Sequence, residues 1–382
     1  NVGVRASDEK TLILELEKPV HYFLRLLSHP AFYPVPRFVL EQFGDPFGRA
    51  TGWTRAENIV SNGPFRLESW RVNERIHVVR NEHYWDNSQT RLNEIYFYPT
   101  ESREAEERAY RGGRLHLTEA MPVSMMQHYR ETNNPALQID PYLGTYYLQL
   151  NTRKQALSDP RVRRALSLVV DRKLIVDNIL QGDQKPAWHF TPPNTAGYTP
   201  DINGEKNLDE ARSLMAAAGF ENGEGFPELV YLYNTSESHK QIAEAIQQMW
   251  QTALGISIRL ENQEWKVYTQ SREAGSFDIL KSSWIADFED PSTFLEVWTS
   301  SSGNNFTGWT NQDYDYLVEK PLAANRYASF EQAEELLIQE QPIIPLYFYT
   351  SVYLKHPSVK GYYPTLLNYH PWKYIYLEAV SP

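Results

Sequence analysis

The tract Lys281-Ser282-Ser283-Trp284-Ile285-Ala286-Asp287-Phe288-Glu289-Asp290-Pro291 holds the residue types most able to do chemistry. Asp278-Ile279-Leu280 leads into it as an apolar strand, which ends in Trp284 and then Asp287, just before a proline turn. In an α/β sheet, ligands sit outside the carboxyl ends of the strands. An aromatic ring and a carboxylate at such an end can stack on a ligand and bind its amine. The same residues also read as a core Trp and an Asp that caps the next helix near Pro291. Trp265, just after a strand over 256–260, falls at the same edge of such a sheet.

Other chemistries find little support. The ten histidines are scattered, with neither HxxxH nor HExxH spacing, so they read as surface or hydrogen-bonded side chains. There is no GxxxxGK[ST] or GxGxxG phosphate loop and no GxSxG nucleophile elbow. Ser7-Asp8-Glu9-Lys10 matches SxxK in form but lacks the SDN and KTG partners, and reads as a solvated turn. Carboxylates are too numerous for paired-acid catalysis to be found or excluded. No motif points to an enzyme.

The elements that must position the tract follow from periodicity. Leu229 to Tyr233 reads as a strand, His239 to Leu254 as a helix with Ile242, Ala245, Ile246, Met249, Trp250 and Ala253 on one stripe, and 256–260 as a strand after Gly255. A right-handed crossover places the two strands in one parallel sheet, the unit of an α/β fold. Ser61-Asn62-Gly63-Pro64 is a turn, followed by strands Phe65–Trp70 and Ile76–Arg80 as an antiparallel hairpin, with another strand over Ile95–Tyr98. Leu12–Leu16 is a strand ending at the Lys18-Pro19 turn. Asp159-Pro160 starts a helix carrying Val162, Ala165, Leu166 and Val169; Asp171 starts a second, with Leu174, Ile175 and Ile179. Leu208 to Ala218 is a helix closed by Gly219, Ala328 to Ile338 another, and Ile343 to Tyr349 an apolar strand.

Composition narrows the function. The 382 residues carry 37 Lys+Arg against 48 Asp+Glu, a net charge of −11, which disfavours nucleic-acid binding because phosphate contacts need a basic face. The length suits about two or three domains. Without cysteine there is no disulfide framework, zinc-thiolate site, iron–sulfur cluster or Cys nucleophile. No apolar run approaches the ~18 residues of a membrane span, and no signal-peptide pattern is present. The chain opens with Asn1 rather than Met, which reads as a processed or truncated chain. The 10 Trp, 25 Tyr and 16 Phe fit a ligand cleft as well as a core.

A set of motifs then points to a family. Ser61-Asn62-Gly63-Pro64-Phe65, Val72-Asn73-Glu74-Arg75-Ile76, Arg80-Asn81-x-x-Tyr84-Trp85-Asp86, Asp140-Pro141-Tyr142 with Tyr146-Tyr147, and Asp159-Pro160-Arg161-Val162-Arg163-Arg164-Ala165-Leu166 come first in order. Tyr233-Asn234-Thr235-Ser236, Asn262-Gln263-Glu264-Trp265 and Trp284-x-Ala286-Asp287-x-x-x-Pro291 follow. Together they resemble the periplasmic oligopeptide-binding proteins of peptide ABC importers, the extracellular solute-binding proteins of family 5, over nearly the whole chain.

The resemblance implies an α/β, two-lobed periplasmic binding protein fold of type II, a Venus flytrap, with a small extra domain. Residues 1–40 would be the tail of that domain, 41–143 lobe I, 144–352 the second large lobe, and 353–382 a return to lobe I. Family members carry a further N-terminal segment, so the resemblance implies an N-terminally truncated chain whose lobe I sheet has an open edge. The tract Tyr316 to Arg326 looks shorter than usual, and some close relatives carry a cysteine pair at the positions matching Gly144 and Ile285.

Site residues carry over in the same way. Asp287 matches the carboxylate that pairs with a peptide α-ammonium, and Ser283, Trp284 and Ile285 match the strand whose backbone pairs with the extended peptide, a β-augmentation. Trp265, Trp284 and Tyr147 would wall side-chain pockets. His239, Arg272 and Lys281 match positions that meet the peptide carboxylate or acidic side chains, with Lys281 standing where close members have Arg. The implied protein is a monomeric receptor for short peptides that docks on an ABC permease, located in the periplasm or as a cell-surface lipoprotein, with no enzyme activity, cofactor, metal, nucleic acid or membrane span. A solute-binding-like sensory domain of a regulator, and a receptor for a murein peptide, nickel chelate or oligosaccharide, stand as alternatives.

Overall fold

The computed structural model describes residues 3–17, 19–20, 22–45, 48, 51–319 and 325–379. Lys18 of the expected Lys18-Pro19 turn, and part of the Tyr316–Arg326 tract, lie outside the described residues.

The largest element is a mixed six-stranded sheet. Its strands are β6 (Leu137–Leu150), β7 (Lys185–Pro186), β8 (Leu229–Asn234), β9 (Ile258–Gln263), β10 (Ile279–Ile285) and β11 (Ile343–Leu354), in the order β7-β11-β6-β10-β8-β9. The expected strand–helix–strand unit is present: β8 pairs in parallel with β9, and helix Glu237–Leu254 connects them, ending at Gly255 with φ +70°. That left-handed conformation is the one glycine adopts at a helix end without steric cost. The second strand begins two residues later than the periodicity suggests, at Ile258, and runs to Gln263.

Alternation along β6 divides two cores. Tyr146, Leu148 and Leu150 face one, with Val162, Leu166, Ile246 and Trp250. Trp250 is fully buried, and its indole N–H donates to the Leu166 carbonyl at 2.8 Å, so burying this large ring leaves no orphan donor. Tyr147 faces the other core, with Phe190, Phe294 and Trp298. The helix Pro160–Val169 that covers the first core is capped as expected, Asp159 Oδ1 accepting from the Arg161 N–H at 2.8 Å. The helix after Asp171 departs from expectation. It makes one α-turn, Arg172–Leu174, and then widens to a π-helix over Ile175–Leu180. Arg172 is buried there and donates to the Ser167, Ala187 and Pro345 carbonyls, tying this turn to the sheet.

Three further sheets complete the described strands. β1 (Gly3–Ala6) and β2 (Leu12–Glu15) form a hairpin, with exposed Ser7 to Lys10 as its turn. β3 (Phe65–Arg71), β4 (Arg75–Arg80) and β5 (Glu94–Phe97) form an antiparallel meander, the first turn passing through Asn73 at φ +59°. β3 and β5 each have β4 as their one strand neighbour among the described residues. β12 (Val359–Lys360) pairs with β13 (Tyr376–Leu377).

Candidate functional site

The site is built on β10. On one side, β10 pairs with β6 along its whole length, Ile279 opposite Leu150 through Ile285 opposite Gly144. On the other, β8 meets it only at Ile279 and Leu280. From Lys281 to Ile285 that edge has no strand partner among the described residues, so its backbone groups are open to an added strand. Pleating turns Lys281, Ser283 and Ile285 to one face and Trp284 to the other. Gly144 has no side chain because Ile285 fills its place: a Cβ there would lie 2.4 Å from Ile285 Cδ1 and 2.8 Å from the Trp284 carbonyl. The two positions expected to match a cysteine pair are thus direct register partners.

Cations gather at the start of the open edge. Lys281 is 6% exposed and stands 5.2 Å from the Tyr146 ring centre. Burial pushes its ammonium down to about 7, and Arg103 and Arg272 push in the same direction. His239, at the start of helix Glu237–Leu254, has its Nδ1 3.3 Å from the Tyr146 hydroxyl. Burial, then Lys281 and Arg103, hold it well below the usual histidine value. Arg272 ends helix Trp265–Glu273 with its guanidinium 4.8 Å from the Phe306 ring centre and its buried Nε without a hydrogen-bond partner. No carboxylate of the described residues forms a salt bridge with Lys281, Arg272 or Arg103. Mutually repelling cations held together without counter-ions are the arrangement an anionic ligand group would relieve.

The carboxylate lies past the other end of the strand. Asp287 is half-exposed, and its Oδ1 is 3.9 Å from His29 Nε2 of the N-terminal segment. Burial raises its pKa and His29 lowers it. The alternative role, as a cap of the following helix, is overturned. The N-cap position of that helix is Pro291, and the side chain that reaches its first N–H is Asp290, Oδ1 accepting from the Ser292 N–H at 3.0 Å, while the Asp290 carboxylate forms an ion pair with Arg326.

The aromatic residues divide. Trp284 packs partly buried against the second core, its indole N–H without a partner. Trp265 is 56% exposed and stacks on Tyr268 at 5.6 Å. The Tyr268 hydroxyl in turn donates to the Lys281 carbonyl, which links Trp265 to the site strand. Tyr147 does not join them. It is 2% exposed, edge-on to Phe190 and Trp298, because the pleat of β6 turns it into the second core. Its neighbour Tyr146 faces His239 and Lys281 instead, and sequence reading missed it, since the Tyr146-Tyr147 pair signals two faces without saying which is which. Sequence reading also missed Arg103 and His29, which no local motif marks. No group of three or more His, Asp or Glu side chains with metal-binding geometry occurs among the described residues.

Comparison with known proteins places the chain in a family. Residues 1–306 match the family model for "Bacterial extracellular solute-binding proteins, family 5 Middle". The chain is 39% identical over 372 residues to the periplasmic murein peptide-binding protein MppA of Escherichia coli K12, covering 94% of this chain and 68% of the relative. It is 37% identical over 373 residues to the periplasmic oligopeptide-binding protein OppA of Salmonella typhimurium LT2, covering 95% of this chain and 67% of the relative. A solved structure of the Escherichia coli murein tripeptide binding protein MppA superposes with a TM-score of 0.88 at 37% identity, covering 98% of this chain and 74% of that one. The unliganded open form of MppA gives 0.69, again over 98% of this chain and 73% of that one, so the arrangement seen here departs from the open form. Among the described residues, no helix is long and apolar enough to cross a membrane. These are binding proteins rather than enzymes, and they share a mixed α/β, two-lobed fold. The chain belongs to family 5 of the bacterial extracellular solute-binding proteins.

Proposed function

We propose that this chain is a peptide-binding receptor that delivers short peptides to an ABC permease. The peptide adds as an extended strand to the open edge of β10 at Ser283–Ile285. Its α-ammonium pairs with Asp287, and its carboxylate end turns toward Lys281, Arg272 and His239, so it runs antiparallel to β10. The observation that carries this reading is the polarity of that edge, unpaired cations at its start and a carboxylate beyond its end. At about 3.3 Å per residue, this length of strand suits peptides of roughly two to five residues. Main-chain bonds give affinity without reading sequence, while Trp284 and Trp265 flank the side chains. Relatives named for oligopeptide and murein peptide binding support the ligand class.

The same reading makes the protein a monomer, periplasmic or held at the cell surface, that closes on its ligand by hinge motion. It assigns 1–40 to the small extra domain, 41–143 to lobe I, 144–352 to the second lobe, and 353–382 to the return into lobe I. Calorimetric titration with trialanine, N-acetyl-trialanine and maltotriose tests it. Binding of trialanine with weak binding of the other two supports the reading. Tight binding of the sugar without binding of any peptide overturns it.

A further inference from the structure

Asp287 lies in a loop whose backbone is fixed while its own carboxylate is not. The Ala286 N–H donates to the Leu143 carbonyl at 2.9 Å, and the Asp287 N–H to Thr293 Oγ1 at 3.3 Å. The Asp287 carboxylate accepts no hydrogen bond from the described residues, and His29 is the ionisable side chain that faces it. A half-exposed carboxylate of this kind gives up rotational freedom when it holds a ligand ammonium, and that loss counts against affinity.

His29 is held on every side. Pro30 confines it to extended backbone, with φ −68° and ψ 138°, the conformation of a helix N-cap. Its own N–H donates to the Leu26 carbonyl at 2.9 Å, at the end of helix Phe23–Leu26. Its ring is fixed as well, because Nδ1 accepts from the Ala31 N–H at 3.2 Å and so caps the turn Pro30–Phe32. That bond decides the tautomer. A ring nitrogen that accepts a hydrogen bond carries no proton, so the N–H of the ring is at Nε2. Nε2 is the atom that faces Asp287 Oδ1, at 3.9 Å. The separation is about 1 Å longer than a hydrogen bond, a gap that rotation of the Asp287 side chain can close. Arg25 of the same segment donates to the Glu289 carbonyl at 2.8 Å, which keeps His29 and the loop together.

We propose that His29 is a positioning residue for the N-terminus of the ligand: its Nε2–H engages Asp287 Oδ1 and leaves Oδ2 turned toward the α-ammonium. This rests on the peptide-receptor reading and deepens it. One carboxylate oxygen is committed to the protein and the other to the ligand, so Asp287 is oriented before the peptide arrives. His29 acts through Asp287 rather than on the peptide.

Two substitutions separate this role from a purely structural one. His29→Asn puts an amide oxygen where Nδ1 stood, so it keeps the cap and loses the donor to Asp287. His29→Gln puts an amide N–H where Nε2 stood, so it loses the cap and keeps the donor. Calorimetric titration of trialanine into the full chain is expected to show His29→Asn binding about threefold to tenfold more weakly than the parent, the worth of one hydrogen bond, at an unchanged melting temperature. His29→Gln should bind close to the parent despite the missing cap. On an Asp287→Asn background, His29→Asn should cost nothing further. Parent-like binding by His29→Asn, with Asp287→Asn impaired, overturns the inference alone. So does a loss in His29→Gln equal to that in His29→Asn, or a further loss on the Asp287→Asn background. Parent-like binding by Asp287→Asn overturns the ammonium assignment and the inference with it, and failure of the parent to bind trialanine overturns the receptor reading as well.

Discussion

His29 Nε2 stands 3.9 Å from Asp287 Oδ1, a contact between the N-terminal segment and the loop that follows the site strand. Its neighbours reinforce it. Tyr22 stacks on Phe288 with ring centres 4.4 Å apart, and Arg25 reaches Glu289 at 3.4 Å as well as its carbonyl. Asp287, Phe288 and Glu289 are thus each held by the same short segment. The loop that carries the carboxylate proposed to receive a ligand ammonium is held in place by this segment.

Asp287→Asn keeps the shape and deletes the charge. Peptide affinity should fall by roughly 2–5 kcal/mol, the range for truncating one partner of a desolvated charge pair. The variant should also lose discrimination against N-acetylated peptides. Because the Asp287 carboxylate accepts no hydrogen bond from the following helix, whose first N–H is met by Asp290, unfolding stability should stay within about 0.5 kcal/mol of the parent. Titration of free and acetylated tripeptide into both proteins checks this, and equal affinities for all four combinations sink the assignment.

Two groups give peptide binding opposite pH limits. Asp287 must be ionised to hold an ammonium, and its raised pKa means affinity starts to fall at a higher pH than for an ordinary carboxylate. Lys281 must be protonated to hold a carboxylate, so affinity should fall as pH rises through about 7. A pH series of trialanine titrations should therefore show a maximum, and Lys281→Met should flatten its alkaline side.

Lys281 also ties stability to pH. Its folded pKa of about 7 lies below the ordinary lysine value, so between the two the unfolded chain binds a proton that the folded chain does not. Stability from this residue therefore rises with pH across that window. Lys281→Met removes the slope and should raise Tm at pH 7 in the absence of ligand, measured by calorimetry at several pH values.

The Arg326–Asp290 pair is buried, with side chains 14% and 6% exposed. Arg326→Met leaves the carboxylate uncompensated and should cost about 3–5 kcal/mol in urea denaturation. Asp290→Asn on the same background should recover part of this by removing the buried charge. An unchanged midpoint for the single variant would contradict the role.

Gly144→Ala should destabilise by about 1–3 kcal/mol, because the added Cβ collides with Ile285 Cδ1 and the Trp284 carbonyl. Ile285→Val on that background should relieve part of the loss. Thermal melts of the parent and the two variants decide the point.

Much of this protein was legible in the sequence because it is locally encoded. Asn73 allows the turn between β3 and β4, Asp159-Pro160 starts a helix, Gly255 ends one, and the stripe from Ile242 to Trp250 requires a helix against a sheet. The family motifs likewise mark β10 and Asp287. Tertiary structure alone decided the rest. Alternation says that Tyr146 and Tyr147 face opposite ways, but which face holds His239 and which holds Trp298 depends on the elements packed above and below the sheet. The register that sets Gly144 against Ile285, the parting of β8 from β10 after Leu280, and the arrival of His29 at Asp287 and of Arg103 near Lys281 join residues far apart in the chain. Periodicity reports only on neighbours within a few residues. Contacts of that range are set by how whole elements bury their apolar faces, and it is these contacts that shift Lys281 and Asp287 from their ordinary values and turn a strand into a site.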